Sequence, residues 1–212
     1  MSRIVPYFAA MTVGEAPRPS RKTDPRRTDR RAAVTRMVSF FAGLALVVIA
    51  LHLTGLGINI TDSMPIGLYH VAPVDRAPVK GDIVSICAPP AVAAIARARD
   101  YIPRGSCPDD TAPMLKIVGA VAGDVIEVEQ NAIVIDGYTL PGSATHARDS
   151  HGRALSRFPR GTHQMRPGEV WLWTPNPRSW DSRYYGPLPA QNVNGFATLL
   201  FAFWDWPYAR AH

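Results

Sequence analysis

The sequence predicts a mainly β, barrel-like domain that follows one N-terminal transmembrane helix, and two observations support this prediction. An apolar run of roughly 19 residues without Asp, Glu, Lys or Arg extends from Val38 to about Leu56. Many short apolar stretches separated by Gly and Pro follow it, and helical periodicity is rare among them. With 212 residues, the chain can hold one domain of ordinary size and an appendage.

The apolar run predicts a membrane anchor at residues 37–57, because it is close to the length that spans a bilayer. A cleavable secretory signal is the alternative, and Gly55-Leu56-Gly57 offers a small-x-small pattern for cleavage. The retained anchor is favoured, because the basic region before the run is about 36 residues long and the run exceeds the usual signal length of about 7–15 apolar residues.

Basic residues are concentrated before the anchor. Residues 1–36 contain nine Lys/Arg and three Asp/Glu, so the remaining 14 basic and 14 acidic residues balance. A neutral folded part does not indicate nucleic-acid binding. The composition predicts a largely disordered cytoplasmic tail at 1–36. Because positive flanks stay inside, we expect a single-pass protein with its N-terminus in the cytoplasm and residues 58–212 as a domain on the other side of the membrane.

Seven apolar runs in this domain have the length and punctuation of strands. They are Gly67–Ala72, Asp82–Cys87, Leu115–Val121, Val125–Val128, Ala132–Ile135, Glu169–Trp173 and Asn194–Phe203. The fourth and fifth have the spacing of a hairpin through residues 129–131. The alanine-rich segment Ala91–Asp100, after Pro89-Pro90, predicts one helix.

Residues 141–167 show no period and predict an irregular insertion. His146, His151, His163 and Asp149 lie within it, but the spacing of the histidines matches no zinc pattern, so we expect solvated loop histidines. No metal or organic cofactor is implied by the sequence.

Cys87 and Cys107 lie on either side of the predicted helix, in the part expected outside the cytoplasm. In an oxidising compartment they are candidates for a disulfide, with free thiols as the alternative. Closing a loop of this size would stabilise the fold by about 3 kcal/mol in the chain-entropy model.

Ser63 and Lys116 suggest a serine nucleophile with a lysine base. Ser63 follows shortly after the predicted anchor, where the cleavage site of a membrane-emerging precursor would be presented. Lys116 stands between Met114-Leu115 and Ile117-Val118, a setting that favours the neutral amine if it is buried. Composition alone favours ordinary alternatives, a surface lysine and a loop serine.

Three motifs strengthen the catalytic interpretation, because their order and spacing resemble the type I signal peptidase family (peptidase family S26). They are Ser63-Met64-Pro65-x-Gly67-x-Tyr69, Lys116-Ile117-Val118-Gly119 with Gly123-Asp124, and Ser179-Trp180-Asp181-Ser182-Arg183-Tyr184-Tyr185-Gly186-Pro187. The Asn-x-Thr-x-Ser-Met-Pro-x-Gly opening and the cysteine-bracketed insert are most like the conjugative-transfer, pilin-processing peptidases of the TraF type.

The resemblance implies a signal-peptidase-like fold and a role for each matching residue. Ser63 would be the nucleophile and Lys116 the general base, with the main-chain N–H of Ser63 helping to hold the oxyanion. Thr61 would complete the oxyanion hole, Asp181 would order the lysine region, and Ser182 would hydrogen-bond the lysine. For Asp181, a buried ion pair with Arg183 or another basic residue is the alternative. The substrate would be a signal peptide or pilin precursor with small residues near the scissile bond.

The resemblance also implies that the membrane is a bacterial inner membrane and that residues 58–212 are a periplasmic peptidase domain. Membrane lipid and secretion-system proteins are the partners expected with it, and some relatives of this type cyclise their pilin by transpeptidation. One competing hypothesis is a non-catalytic envelope or secretion-apparatus component, which predicts Lys116 in solvent or far from Ser63. Another is a self-cleaving regulatory protein, against which the membrane segment and the lack of a helix-turn-helix pattern argue.

Overall fold

The structure, a computed structural model, describes residues 25–204 and 206–207. The chain divides into two compact units, one ending at Val47 and the other beginning at Val48. Within the described residues, the N-terminal unit is made by helix α1, which spans Pro25–Leu53 and continues into the second unit.

Helix α1 covers residues 37–53 of the predicted anchor at 37–57 and has different bounds. It begins at Pro25, at a position where proline is favoured, so residues 25–36 are helical in the structure; residues 1–24 of the predicted tail lie outside the described residues. It ends at Leu53, before the expected end at residue 57. The segment Ala33–Ala50 is long and apolar enough to cross a membrane, since its mean hydropathy is 2.1 and none of it is buried. Signal sequences can have the same length and composition.

The second unit is built mainly from short antiparallel strands. These are β1 (Leu56–Asn59), β2 (Gly67–Ala72), β3 (Ile83–Ile86), β4 (Met114–Val121), β5 (Val125–Val128), β6 (Ile133–Ile135), β7 (Tyr138–Thr139), β8 (Gly161–Gln164), β9 (Glu169–Trp173), β10 (Leu188–Pro189) and β11 (Val193–Ala202). Helix α2 (Pro90–Ala98) lies between β3 and β4, and the short α3 (Ser182–Tyr185) lies between β9 and β10.

The strands form two sheets. The larger has the order β1-β2-β11-β3-β4-β9-β10, and the smaller has the order β7-β6-β5-β8. The predicted mainly β class is confirmed. Among the described strands, however, β1 and β10 remain edges of the larger sheet, so the arrangement is two open sheets and the predicted barrel does not close.

All seven apolar runs predicted as strands are strands, and β5 and β6 pair as the expected hairpin. Helix α2 matches the predicted helix to within a few residues and buries Ala93 and Ala96. Strand β8 lies inside the segment expected to be irregular. Its sequence Gly-Thr-His-Gln has no apolar period, and it is held by backbone pairing to β5.

Strand β4 lies inside the larger sheet, between β3 and β9, and both of its faces are covered. Ile117 and Ala120 belong to a core that includes residues of β5, β6 and β9, whereas Met114 and Val118 belong to a second core with residues of β3 and β9. Both faces of β4 are therefore packed against a core, and its residues 116–120 are buried, including Lys116.

Candidate active site

Ser63 lies on the connection between β1 and β2, and Asn59 at the end of β1 organises that connection. The Asn59 amide donates to the main-chain oxygens of Thr61, Met64 and Pro65 at 2.8, 3.0 and 3.1 Å. The Tyr69 hydroxyl donates to the Pro65 carbonyl at 2.9 Å. The turn that presents Ser63 is thus fixed largely by side chains that belong to the neighbouring strands.

Gly67 of the same motif has a steric role. A Cβ at Gly67 would collide with the carbonyl oxygen of Phe201, because β2 and β11 approach closely at this point. Glycine is therefore required for the strand that follows the serine turn to pair at this register.

The Thr61 hydroxyl lies beside the serine turn but is engaged by Asn59. Thr61 Oγ1 donates to Asn59 Oδ1 at 2.9 Å, and the Thr61 amide donates to the same oxygen at 3.2 Å. In the structure the hydroxyl hydrogen therefore braces the turn. Its participation in an oxyanion hole, expected from the sequence, remains a prediction.

Lys116 is buried, with only 4% of its surface exposed, although composition alone favoured a surface lysine. It lies on the same face of β4 as Met114 and Val118, and that face is packed in the core. Its Nζ contacts the Ser179 Oγ at 2.7 Å. No hydrogen bond joins Nζ to Ser63 within the described residues.

Burial lowers the pKa of the Lys116 ammonium from 10.5 to about 8. The carboxylate of Asp181 opposes this change, the guanidinium of Arg183 reinforces it, and Asp62 opposes it more weakly. At pH 7 about a tenth of the lysine would then be the neutral amine, compared with about 0.04% at an unperturbed pKa. The environment makes Lys116 usable as a base near neutral pH.

The resemblance predicts that Ser182 hydrogen-bonds the lysine, but in the structure the serine that contacts Lys116 is Ser179. Ser182 is fully buried at the start of α3, where its Oγ accepts a hydrogen bond from the Leu172 amide at 2.9 Å. That hydroxyl stabilises the contact between α3 and β9, and it is Ser179 that contacts Lys116. Both serines belong to the third sequence motif, so a serine partner could be predicted from the sequence. Which of the two serines contacts the lysine could not, because the turn before α3 makes their side chains point in different directions.

Asp181 and Arg183 form a fully buried ion pair beside the lysine. Two guanidinium nitrogens of Arg183 donate to the two carboxylate oxygens of Asp181, at 2.7 and 2.6 Å. Arg183 also donates to the carbonyls of Gly142 and Asn176 at 2.7 and 2.9 Å, and Asp181 caps α3 through the Arg183 amide. The bidentate geometry and these additional bonds compensate the burial of both charges.

Ser63 and Lys116 line one cleft of about 780 Å³. Three further parts of the chain complete its walls: residues 101–104; His146, residues 148–150 and Leu155; and Arg178, Trp180 and Tyr184. The cleft is large enough for several residues of an extended peptide.

The wall formed by residues 101–104 belongs to the loop closed by a disulfide between Cys87 and Cys107. Asp149, from the segment expected to be an irregular insertion, accepts a hydrogen bond from the Tyr101 hydroxyl and one from Arg153 Nε, both at 2.7 Å. The disulfide loop and this insertion are thereby joined into one side of the cleft.

The three histidines near this insertion are dispersed. His146 lines the cleft, and a ring nitrogen of His163 contacts the Pro159 carbonyl at 2.8 Å. In the part of the chain that the structure describes, no group of three or more His, Cys, Asp or Glu is placed to hold a metal ion.

Comparisons with known proteins agree with these motifs. Residues 30–204 match the family described as signal peptidase, peptidase S26. A probable conjugal transfer protein TraF of Sinorhizobium fredii is 41% identical over 151 residues, which cover 70% of this chain and 78% of the relative. A plasmid transfer protein TraF of Escherichia coli is 36% identical over 165 residues, which cover 76% of this chain and 91% of the relative.

A crystal structure of a signal peptidase I from Enterococcus faecalis covers 58% of this chain and 98% of its own, at 18% identity and a TM-score of 0.34. Similarity at this level carries no weight for the function. The sequence matches carry the assignment, because they extend over most of the chain, and the family match over residues 30–204 spans the positions of all three motifs. The chain belongs to the signal peptidase family, peptidase S26, and the proteins similar to it include TraF transfer proteins.

Proposed function

We propose that this protein is a membrane-anchored serine endopeptidase that cleaves a signal peptide or pilin precursor during conjugative transfer, with Ser63 as nucleophile and Lys116 as general base. One observation carries the proposal most directly. Lys116 is buried on an inner strand of the sheet, its Nζ contacts the Ser179 hydroxyl, and it lines the same cleft as Ser63.

The first half-reaction follows from these positions. Neutral Lys116 Nζ accepts the proton of the Ser63 hydroxyl as Oγ attacks the scissile carbonyl carbon. The carbonyl oxygen becomes an oxyanion, which accepts a hydrogen bond from the Ser63 main-chain N–H. The lysine then gives its proton to the leaving amine, and an acyl-enzyme ester remains on Ser63.

The second half-reaction depends on what reaches that ester. Water, deprotonated by Lys116, releases a carboxylic acid and completes hydrolysis. An amine in the same place forms a new peptide bond, so an amino terminus of the precursor itself would produce a cyclic pilin. Both routes use the same residues and differ only in the acceptor.

The cleft supports an extended substrate next to the serine. The Ala-x-Ala preference of signal cleavage is proposed here from family membership, with small residues near the scissile bond. Such a substrate emerges from the bilayer, which agrees with an enzyme whose nucleophile follows the end of α1 by ten residues in the chain.

The proposed location is the bacterial inner membrane, with the N-terminus in the cytoplasm and the peptidase domain in the periplasm. The apolar length of α1 and the basic residues before it support this orientation. The disulfide between Cys87 and Cys107 agrees with an oxidising compartment. Membrane lipid and secretion-system proteins are the expected partners.

The alternative of a non-catalytic envelope component loses support from the environment of Lys116. That hypothesis expects the lysine in solvent or far from Ser63, whereas Lys116 is 4% exposed and both residues line one cleft. A lysine kept for protein contacts alone would not need this burial.

The test is processing of a candidate pilin precursor in membranes by the wild type, Ser63→Ala and Lys116→Ala, with mass spectrometry of the product. We expect both variants to lose processing. A cyclic product would be lighter than the linear mature chain by one water. Unimpaired processing by Ser63→Ala, with the host signal peptidase excluded, would overturn the assignment.

A further inference from the structure

Asn176 connects the serine turn to the segment after β9, although it belongs to none of the three sequence motifs. Its side chain is fully buried. Asn176 Nδ2 donates to the carbonyl oxygen of Asp62 at 3.0 Å, and Asn176 Oδ1 accepts from the Arg178 amide at 2.9 Å. One amide group therefore links residues that are 114 positions apart in the sequence.

The main chain of Asn176 takes part in the other half of the site. Its carbonyl oxygen accepts hydrogen bonds from the Ser179 amide at 3.0 Å and from Arg183 Nη2 at 2.9 Å. Ser179 in turn holds Lys116 Nζ. The position of the serine turn is thus tied, through one residue, to the segment that positions the lysine.

The hydrogen bond from Asn176 to Asp62 also fixes the orientation of the peptide group between Asp62 and Ser63. The C=O of Asp62 and the N–H of Ser63 belong to the same peptide group, and in a trans peptide they point in opposite directions. Asn176 Nδ2 and Trp206 Nε1, which lies 3.1 Å from the same oxygen, both approach the carbonyl. Within the described residues the Ser63 N–H has no hydrogen-bond partner, so it is available to an oxyanion.

We propose that Asn176 is a positioning residue, which fixes the peptide group between Asp62 and Ser63 so that the Ser63 N–H can bind the oxyanion. The same contacts keep Ser63 in position relative to Lys116. This inference rests on the proposed function. It assigns to Asn176 an effect on the transition state, where the oxyanion exists, and little effect on binding of the uncleaved peptide.

The experiment uses the full chain in detergent micelles with a peptide that contains an Ala-x-Ala cleavage site, and a peptide aldehyde of the same sequence as a mimic of the tetrahedral state. Asn176→Leu removes the donor to Asp62. We expect kcat to fall on the order of 100-fold, with KM within about twofold, because a misdirected donor loses the oxyanion contact. Affinity for the aldehyde should fall in parallel with kcat.

Asn176→Asp supplies a readout that a purely structural role would not move. The ionised carboxylate cannot donate to the Asp62 carbonyl, whereas the protonated acid can. The ratio of variant to wild-type kcat should therefore rise as the pH is lowered, and Asn176→Leu should show no such recovery.

Asn192→Asp is the matched control, since Asn192 Nδ2 makes an equivalent long-range bond to the Cys87 carbonyl, at 3.1 Å, outside the cleft lining. It should retain kcat. Because Asn176→Leu can also unfold the domain, Trp206→Phe provides a second variant that removes the other donor to the Asp62 carbonyl. We expect about a tenfold loss of kcat from it, again with KM unchanged.

The proposal is overturned if a folded Asn176→Leu retains kcat within about twofold, or if its loss appears in KM alone. Failure of the proposed function gives a different result. In that case the wild type cleaves no peptide, or Ser63→Ala cleaves as fast as the wild type.

Discussion

Replacing Lys116 with methionine should stabilise the folded protein while removing its activity. The burial that favours the neutral amine penalises its charged form, and the pKa of Lys116 falls from 10.5 to about 8. This difference corresponds to about 3 kcal/mol of destabilisation when the lysine is protonated in both the folded and the unfolded states, as at pH 7. Losing the contact with the Ser179 hydroxyl would offset about 1 kcal/mol, so we expect a net gain of about 2 kcal/mol in the free energy of unfolding.

The dependence on pH separates this explanation from simple repacking. Because the folded pKa lies below the unfolded one, the unfolded state binds more protons between about pH 8 and 10.5, and the wild type gains stability as the pH rises through this window. The advantage of Lys116→Met should therefore be complete below about pH 8 and shrink toward pH 10.5.

The assay is urea unfolding of the full chain in detergent micelles at pH 7 and pH 10. Lys80→Met is the control, since Lys80 is half-exposed, lies 2.7 Å from Asp136, and has a pKa raised by its hydrogen bonds to Asp136 and Asp124. It should give no gain in stability at pH 7. The reasoning would be refuted if Lys116→Met were less stable than the wild type at pH 7. It would also be refuted if the gain in free energy of unfolding over the wild type were the same at pH 7 and pH 10.

Three further changes test the supports of the site. Ser179→Ala removes the hydrogen bond to the lysine Nζ and should lower kcat about tenfold, measured by peptide cleavage; an unchanged kcat would show that packing alone holds the base. Replacing Cys87 and Cys107 by alanine opens a loop of sequence separation 20 and should lower the free energy of unfolding by about 3 kcal/mol in urea titrations, whereas equal wild-type midpoints with and without reductant would argue against this. Arg183→Met leaves the Asp181 carboxylate buried without its partner and should cost about 3–5 kcal/mol, seen as loss of near-UV circular dichroism at ambient temperature; a cooperatively folded variant of wild-type stability would contradict it.

The fold was largely predictable, because its strands are marked by local signals. Apolar runs bounded by Gly and Pro identified seven strands, and Pro89-Pro90 identified the start of α2. Closure of the sheet was not predictable in this way, since it depends on whether the edge strands β1 and β10 find partners. Strand β8 was also missed, because backbone pairing holds it and its side chains have no period.

The site was predictable where motifs exist and incomplete where contacts are long-range. Strand alternation correctly placed Lys116 on the face of Met114 and Val118, but only the three-dimensional structure shows that this face is buried as well. Ser179 and Asn176 contact residues 63 and 114 positions away. No local pattern distinguishes a serine or asparagine that makes such a contact from one in an ordinary turn.

The two proposed catalytic side chains are attached to parts of the fold with very different opening free energies. The amides of β4 are paired on both sides, to β3 and to β9, so their hydrogen exchange should require opening of the whole sheet. The Ser63 turn is held mainly by side-chain contacts from Asn59, Tyr69 and Asn176, which can open locally. On heating, the Ser63 turn should therefore lose its native conformation before the sheet unfolds, and inactivation should precede the loss of β structure.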